Sequence, residues 1–320
     1  MSDISLFAAP LQGYTDAIWR HCHALIYGGV DLYFTPFAQI EKGTIRPKDI
    51  KDIFNPLNAN HKPVAQIIFK DVDEFAALCD RLTGEGIREI DLNMGCPFVP
   101  QLKKGRGAAT LLNASLLSEI SELMSTRYSS VRFSLKMRPG VSALDEWKSV
   151  MPAISTMPLS HLTVHPRTAR QQYSGSLSLD TFAGIADSGH RMIFNGEIHT
   201  LADIDGLLCR FPDLSGIMAG RGLLARPSLF SEWREGVEWS EHRRCEALYE
   251  LHARVLDYYK STLCGEAQIL NRIRPFWDYL ETVIGHKSFK AIKKAASLAR
   301  YQEAVDSSFL NRSSSSSRLK

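Results

Sequence analysis

Residues 64–95 read VAQIIFKDVDEFAALCDRLTGEGIREIDLNMG. Two short, nearly continuous apolar runs, VAQIIF (64–69) and EIDLNMG (89–95), flank a segment with helical spacing. In that segment Phe75, Leu78 and Leu82 fall on one face, and the acidic turn after Asp71 marks a helix start. Continuous rather than alternating apolar runs are the mark of parallel strands buried on both faces. The unit is therefore strand, helix, parallel strand.

The same grammar extends in both directions. Further strand runs are residues 4–10 (ISLFAAP), 30–37 (VDLYFTPF), 131–137 (VRFSLKM), 161–166 (HLTVHP), 192–197 (MIFNGE) and 216–221 (GIMAGR). Helical patterns at 113–127, capped by Asn113, and at 200–211, capped by Thr200, lie between them. Eight strands alternating with helices over about 225 residues predict an α/β fold, a (β/α)8 TIM barrel. An open doubly wound sheet is the structural rival, and no GxGxxG follows the first strand to support it. After about residue 235 the strand signal stops. Segments 241–263, 267–284 and 286–305 read as three helices. The expected organisation is a barrel over 1–235, a helical domain over 236–310, and a flexible serine-rich tail over 311–320.

Composition narrows the function. The 320 residues carry 38 Lys+Arg against 35 Asp+Glu, a formal charge of +3. Up to residue 230 the 23 basic and 23 acidic residues cancel, so the excess lies in the last 90 residues. There Lys287, Lys290 and Lys294 share a helix face, with Lys293 beside them and Arg272 and Arg274 nearby. Such a stripe can bind phosphates, although most are solvated faces. No apolar run reaches membrane-spanning length and the start lacks a secretory pattern, so a cytoplasmic chain is expected. Six cysteines without CxxC spacing, and no HExxH, leave no expected metal site. The five cysteines other than Cys96 read as buried structural thiols.

Polar residues gather where a barrel does chemistry, at the C-terminal ends of the strands. Gln66 lies in the third run, Asn93 and Cys96 end the fourth, Lys136 and Arg138 the fifth, His165 and Arg167 the sixth. Asn195 and Glu197 end the seventh, and Arg221 the eighth. The glycines of Asn195-Gly196-Glu197 and Gly220-Arg221-Gly222 would let backbone N–H groups approach a phosphate; tight turns are the plainer reading. Cys96, between Gly95 and Pro97, sits where a thiol can act as a general acid at neutral pH.

These blocks resemble a known family. LNMGCP (92–97), SLKMRPG (134–140), HPRTARQQYSG (165–175), FNGEI (194–198), MAGRGLLARP (218–227) and AAPLQGYTD (8–16) are similar, in order, to the signature blocks of tRNA-dihydrouridine synthases. The resemblance implies FMN, NADPH as electron donor, and reduction of a uridine in tRNA, with hydride passing from reduced FMN to carbon 6 and a proton from Cys96 to carbon 5. It implies that Lys136, His165, Gln66 and the Ala9-Pro10-Leu11 backbone contact the flavin. Asn195, Gly196, Glu197, Gly220 and Arg221 would hold its phosphate. Asn93, Arg138 and Tyr173 would bind the flipped-out uracil, and Arg272 and Arg274 the RNA. Asn271–Arg274 before Phe276-Trp277 is similar to the C-type subgroup. The segment Phe98-Val99-Pro100-Gln101 departs from the family's basic or hydroxyl residues there, and Pro166 replaces its usual glycine. A monomer is expected. The alternatives are an FMN-dependent free-pyrimidine or dihydroorotate oxidoreductase, which has no use for a basic appendage, and a non-catalytic RNA-binding protein on a degenerate barrel.

Overall fold

In the computed structural model, which describes residues 4–313 (side chains to 309), eight parallel strands surround one core. They are β1 (Ser5–Ala8), β2 (Leu32–Tyr33), β3 (Ala65–Ile67), β4 (Glu89–Met94), β5 (Arg132–Met137), β6 (Leu159–Val164), β7 (Met192–Asn195) and β8 (Gly216–Ala219). Neighbours pair in chain order from β3 to β8, and β8 returns to β1 in the register Ser5↔Gly216 to Ala8↔Ala219. The ring closes between β2 and β3 through bridges Phe34↔Val64 and Ala38↔Ile67, with the Thr35 N–H donating to the Val64 carbonyl at 3.0 Å. Every strand is followed by at least one helix, so the fold is the expected (β/α)8 barrel.

Local sequence explains the helix starts. Asp71 accepts from Glu74 N and caps Val72–Gly84, burying Phe75, Leu78 and Leu82 completely. Asn113 accepts from Leu116 N, and Thr200 forms a reciprocal capping box with Asp203. An inserted hairpin, Ile40–Glu41 with Thr44–Ile45, follows β2.

The C-terminal helices build a second apolar cluster. Glu241–Thr262 contributes Leu248, Leu251, Val255 and Leu256, which pack with Trp277, Tyr301 and, from the barrel, Ile18 and Cys22. Two of the three expected helices are broken. Pro275, whose ring and missing N–H stop an α-helix, splits the second into Glu266–Ile273, a tight turn Arg274–Trp277 and Glu281–Ile284. The third divides at 295–297 into His286–Lys294 and Leu298–Ser313. That last helix runs into the stretch expected to be a tail; residues 314–320 lie outside the described residues. Among the described residues no helix is long and apolar enough to cross a membrane, and no His, Cys, Asp or Glu cluster could hold a metal.

Two expectations need correction. The charge excess is not spread over the helical segment: between residues 231 and 311 twelve basic and twelve acidic residues cancel, and the surplus is Arg312, near the end of the last helix, with Arg318 and Lys320, which lie outside the described residues. The cysteines are not uniformly buried. Cys22 and Cys79 are, but Cys245 is half-buried, and Cys209 and Cys264 are exposed.

Candidate active site

A cavity of about 490 Å3 opens at the C-terminal ends of the strands, within the roughly 300–1,000 Å3 range of small-molecule sites. It gathers Ala9, Pro10, Leu11, Gln66, Asn93, Cys96, Lys136, Arg138, His165, Tyr173, Asn195, Gly196, Gly220 and Arg221. Residues from eight separate stretches of chain thus meet as the blocks implied. Four cations line it, namely Arg46, Lys136, Arg138 and Arg221, and among the described residues no carboxylate does. A barrel that is neutral by count therefore presents a positive chamber.

Cys96 is a free, half-buried thiol. Burial pushes it above its usual range, against the pull of a backbone hydrogen bond from Phe98 and of Arg138 and Lys136, so it stays protonated at neutral pH. Its backbone is tightly held. The N–H groups of Gly95 and Cys96 donate to Asn93 Oδ1 at 3.1 and 2.9 Å, and the Cys96 carbonyl accepts from Ala108 N. Gly107 is required here: its φ is +62°, and a Cβ on it would lie 2.8 Å from Cys96 Cβ.

Arg138 is buried and spans the site. Its Nε donates to the Gly95 carbonyl at 2.9 Å and its Nη1 to the Thr168 carbonyl at 2.8 Å. Desolvation lowers it to about 10, which leaves it cationic. Tyr173 stands over both Arg138 and Arg221, with guanidinium carbons 5.5 and 4.4 Å from its ring centre. Lys136 is lowered to about 8, chiefly by burial. His165 is held neutral by burial and by the surrounding cations, and its Nε2 is buried without a partner.

Three expected contacts lie elsewhere. Glu197 does not line the cavity; a carboxylate there would repel a phosphate. It instead accepts from Arg167 and Arg221, holding Arg221 from behind, and from His199 at 2.8 Å. Arg272 turns from the cavity to Asp16, whose Oδ2 also accepts from Tyr259 at 2.8 Å. Arg274 donates to the Ala295 carbonyl and so ties the broken helices together. Gly222 serves packing, since a Cβ would stand 1.7 Å from the Ile198 carbonyl oxygen.

Sequence reading also missed lining residues. Tyr14 lies inside the block 8–16 without a role, Phe98 stands out only as a departure from the family's residues, and Arg46 carries no signal. Tyr279 comes from the helical segment and could be found only through the fold.

The model of the family described as Dihydrouridine synthase (Dus) matches residues 7–312. The chain belongs to the dihydrouridine synthase family. A probable tRNA-dihydrouridine synthase of Staphylococcus aureus (strain Mu50 / ATCC 700699) is 27% identical over 274 residues, 82% of this chain and 81% of that one. One from Staphylococcus epidermidis (strain ATCC 35984) is 26% identical over 310 residues, covering 93% and 91%. The tRNA-dihydrouridine(20a/20b) synthase [NAD(P)+] of Saccharomyces cerevisiae is 30% identical over 169 residues, 51% of this chain and 43% of that one. Among solved structures, morphinone reductase aligns with TM-score 0.48 at 10% identity, over 74% of this chain and 87% of its own. As a Dus protein the chain is a flavin-dependent oxidoreductase, and the RNA-binding alternative without catalysis gives way.

Proposed function

We propose that this chain reduces a uridine of tRNA to 5,6-dihydrouridine in the cytoplasm, as a monomer, with FMN as its flavin and NADPH as electron donor. The observation that carries the reading is the chamber itself: four cations and no carboxylate, closed on one side by a protonated cysteine.

The residues fit an anionic flavin. The partnerless Nε2 of His165 and the Lys136 ammonium offer contacts to a polar ring edge, and Gln66 with the Ala9–Leu11 backbone lines the same wall. Arg221, braced by Glu197, and the backbone at Asn195, Gly196 and Gly220 would receive the phosphate. When bound, the flavin supplies hydride chemistry for carbon 6 of the uracil.

The chain's own residues do the rest. Cys96 holds the proton destined for carbon 5. Arg138 keeps one nitrogen, Nη2, without a hydrogen bond to protein among the described residues, ready for a uracil carbonyl. Asn93 gives one N–H to Gln66 and retains a second. Tyr173, stacked between cations and 44% exposed, closes over the base. A uridine must leave its stack to reach this depth. The helical segment joins the rim through Tyr279 and is assigned to tRNA binding.

The test is direct. Purified protein should carry FMN, and with NADPH it should add two hydrogens to one uridine of an unmodified tRNA, read by mass spectrometry. A protein that cannot be loaded with FMN, or that leaves the tRNA unchanged, overturns the reading.

A further inference from the structure

From the cavity floor a chain of buried hydrogen bonds runs down to Asp91, a residue that no assignment uses. Asp91, fully buried on β4, accepts from Ser134 Oγ at 2.6 Å through Oδ1 and from Gln66 Nε2 at 2.7 Å through Oδ2. Gln66 Oε1 accepts from Asn93 Nδ2 at 2.8 Å. Asn93 Oδ1 then accepts the N–H groups of Gly95 and Cys96. Register explains the layout: Gln66 pairs with Asp91, Asp91 with Ser134, and Asn93 with Lys136 across β3, β4 and β5.

The chain has a direction. A primary amide donates from nitrogen and accepts at oxygen, and turning it over costs little in shape. Two amides in series therefore have two senses, and only the ends choose between them. At the upper end are backbone donors. At the lower end a carboxylate, when ionised, can only accept. We infer that Asp91 is a positioning residue of the site: its carboxylate sets the donor–acceptor sense of Gln66 and Asn93, and through them the turn that carries Cys96. Gln66 then meets the flavin wall, and Asn93 the substrate, with fixed polarity.

The electrostatics agree. Burial raises Asp91 to about 6 against the hydrogen bonds from Ser134 and Gln66 and the nearby Lys136, so above neutrality it is an acceptor only. It is also a counter-charge to Lys136.

The inference rests on the flavin reading of the cavity, and a reversal experiment separates the two. Asp91→Asn keeps the sense, because the new amide oxygen faces Gln66 and its nitrogen donates to Ser134. Asn93→Asp breaks it: Gln66 must turn its nitrogen toward the new carboxylate and its oxygen toward Asp91. The double variant Asp91→Asn/Asn93→Asp satisfies every group again, with the two hydrogen bonds of Gln66 reversed, those of Gly95 and Cys96 unchanged in direction, and the charge conserved. FMN affinity and thermal midpoint at pH 8 are the readouts, since Asn93 also faces substrate. Asp91→Asn should stay within about threefold of wild type in FMN affinity. Asn93→Asp should lose at least about tenfold, the scale of a buried polar group left unpaired, and the double variant should recover most of that loss. A residue that only fills space predicts independent, multiplying effects; that result overturns the inference. So does an Asp91→Asn variant as damaged as Asn93→Asp. If Asn93→Asp fails to fold, rescue of folding by the second change counts in favour, and failure to rescue counts against. Absence of FMN binding by wild type would remove the flavin reading, while the midpoints would still score the chain's direction.

Discussion

The Tyr14 hydroxyl, on the loop after β1, donates to Asp278 Oδ2 of the helical segment at 3.0 Å. Asp278 in turn takes Lys293 through Oδ1. The next residue, Tyr279, meets the Tyr14 ring edge-on with centroids 5.4 Å apart and lines the cavity. One carboxylate thus ties the barrel rim to two separate turns of the helical segment, and the tie sets where Tyr279 stands over the mouth.

Removing that hydroxyl should loosen the rim without touching the cavity floor. Tyr14→Phe loses one partly exposed hydrogen bond, worth about 1 kcal/mol. The expected result is a severalfold rise in KM for tRNA with FMN affinity unchanged, measured by steady-state kinetics and flavin titration. An unchanged KM would mean that Tyr279 is placed by its own packing alone.

Cys96 should separate the two half-reactions. Cys96→Ala removes the proposed proton source and leaves the residues proposed to hold the flavin in place. NADPH should still reduce the bound flavin at near the wild-type rate, while dihydrouridine formation in a single turnover falls by roughly a hundredfold or more, the usual share of a general acid. Comparable product formation by the variant would take the acid role from Cys96.

Much of this was legible in the sequence for local reasons. Strands buried on both faces write themselves as continuous apolar runs, and caps such as Asp71, Asn113 and Thr200 are read from neighbours three residues away. The cavity floor was legible because barrel strands end at one place. What failed depended on distant partners. Arg272 is claimed by Asp16, 256 residues earlier, and Arg274 by a carbonyl at Ala295. Glu197 sat in the right motif but points at arginines, and a motif carries no orientation. Asp91 reads in the sequence as one more residue of a β-run, since its partners Gln66 and Ser134 lie on neighbouring strands.

Lys136 should make flavin affinity depend on pH. Burial, seconded by Arg138, depresses it to about 8, with Asp91 and Cys96 pulling the other way. An anionic ligand prefers the ammonium form, so FMN affinity should fall as pH rises from 7 to 9. Cys96 and Tyr173, both raised, keep their protons over that window. Without ligand the sign reverses. The unfolded chain keeps this lysine's proton to about 10.5, so Lys136 costs stability below 8, and that cost fades between 8 and 10.5. Lys136→Met should flatten the affinity profile in titrations across pH 7–9; a slope that survives the substitution would place the titrating group elsewhere.

The basic helix His286–Lys294 offers the last test, now restricted by structure. Lys293 is engaged with Asp278 and belongs to the rim tie. Lys287, Lys290 and Lys294 are exposed, and no ion pair holds them among the described residues. With the charges of residues 231–311 cancelling, any grip of this segment on tRNA is expected to come from the placement of its lysines rather than from bulk charge. Each lysine that neutralises a phosphate adds about one unit to the slope of log affinity against log salt. Lys290→Glu/Lys294→Glu should therefore weaken tRNA binding and flatten its salt dependence by about two units, with FMN affinity and thermal midpoint unchanged. A filter-binding series from 50 to 200 mM salt, about the range over which such contacts are lost, reads this directly. If affinity and slope both stay at wild-type values, the face is merely solvated, and the positive mouth of the barrel holds the RNA without it.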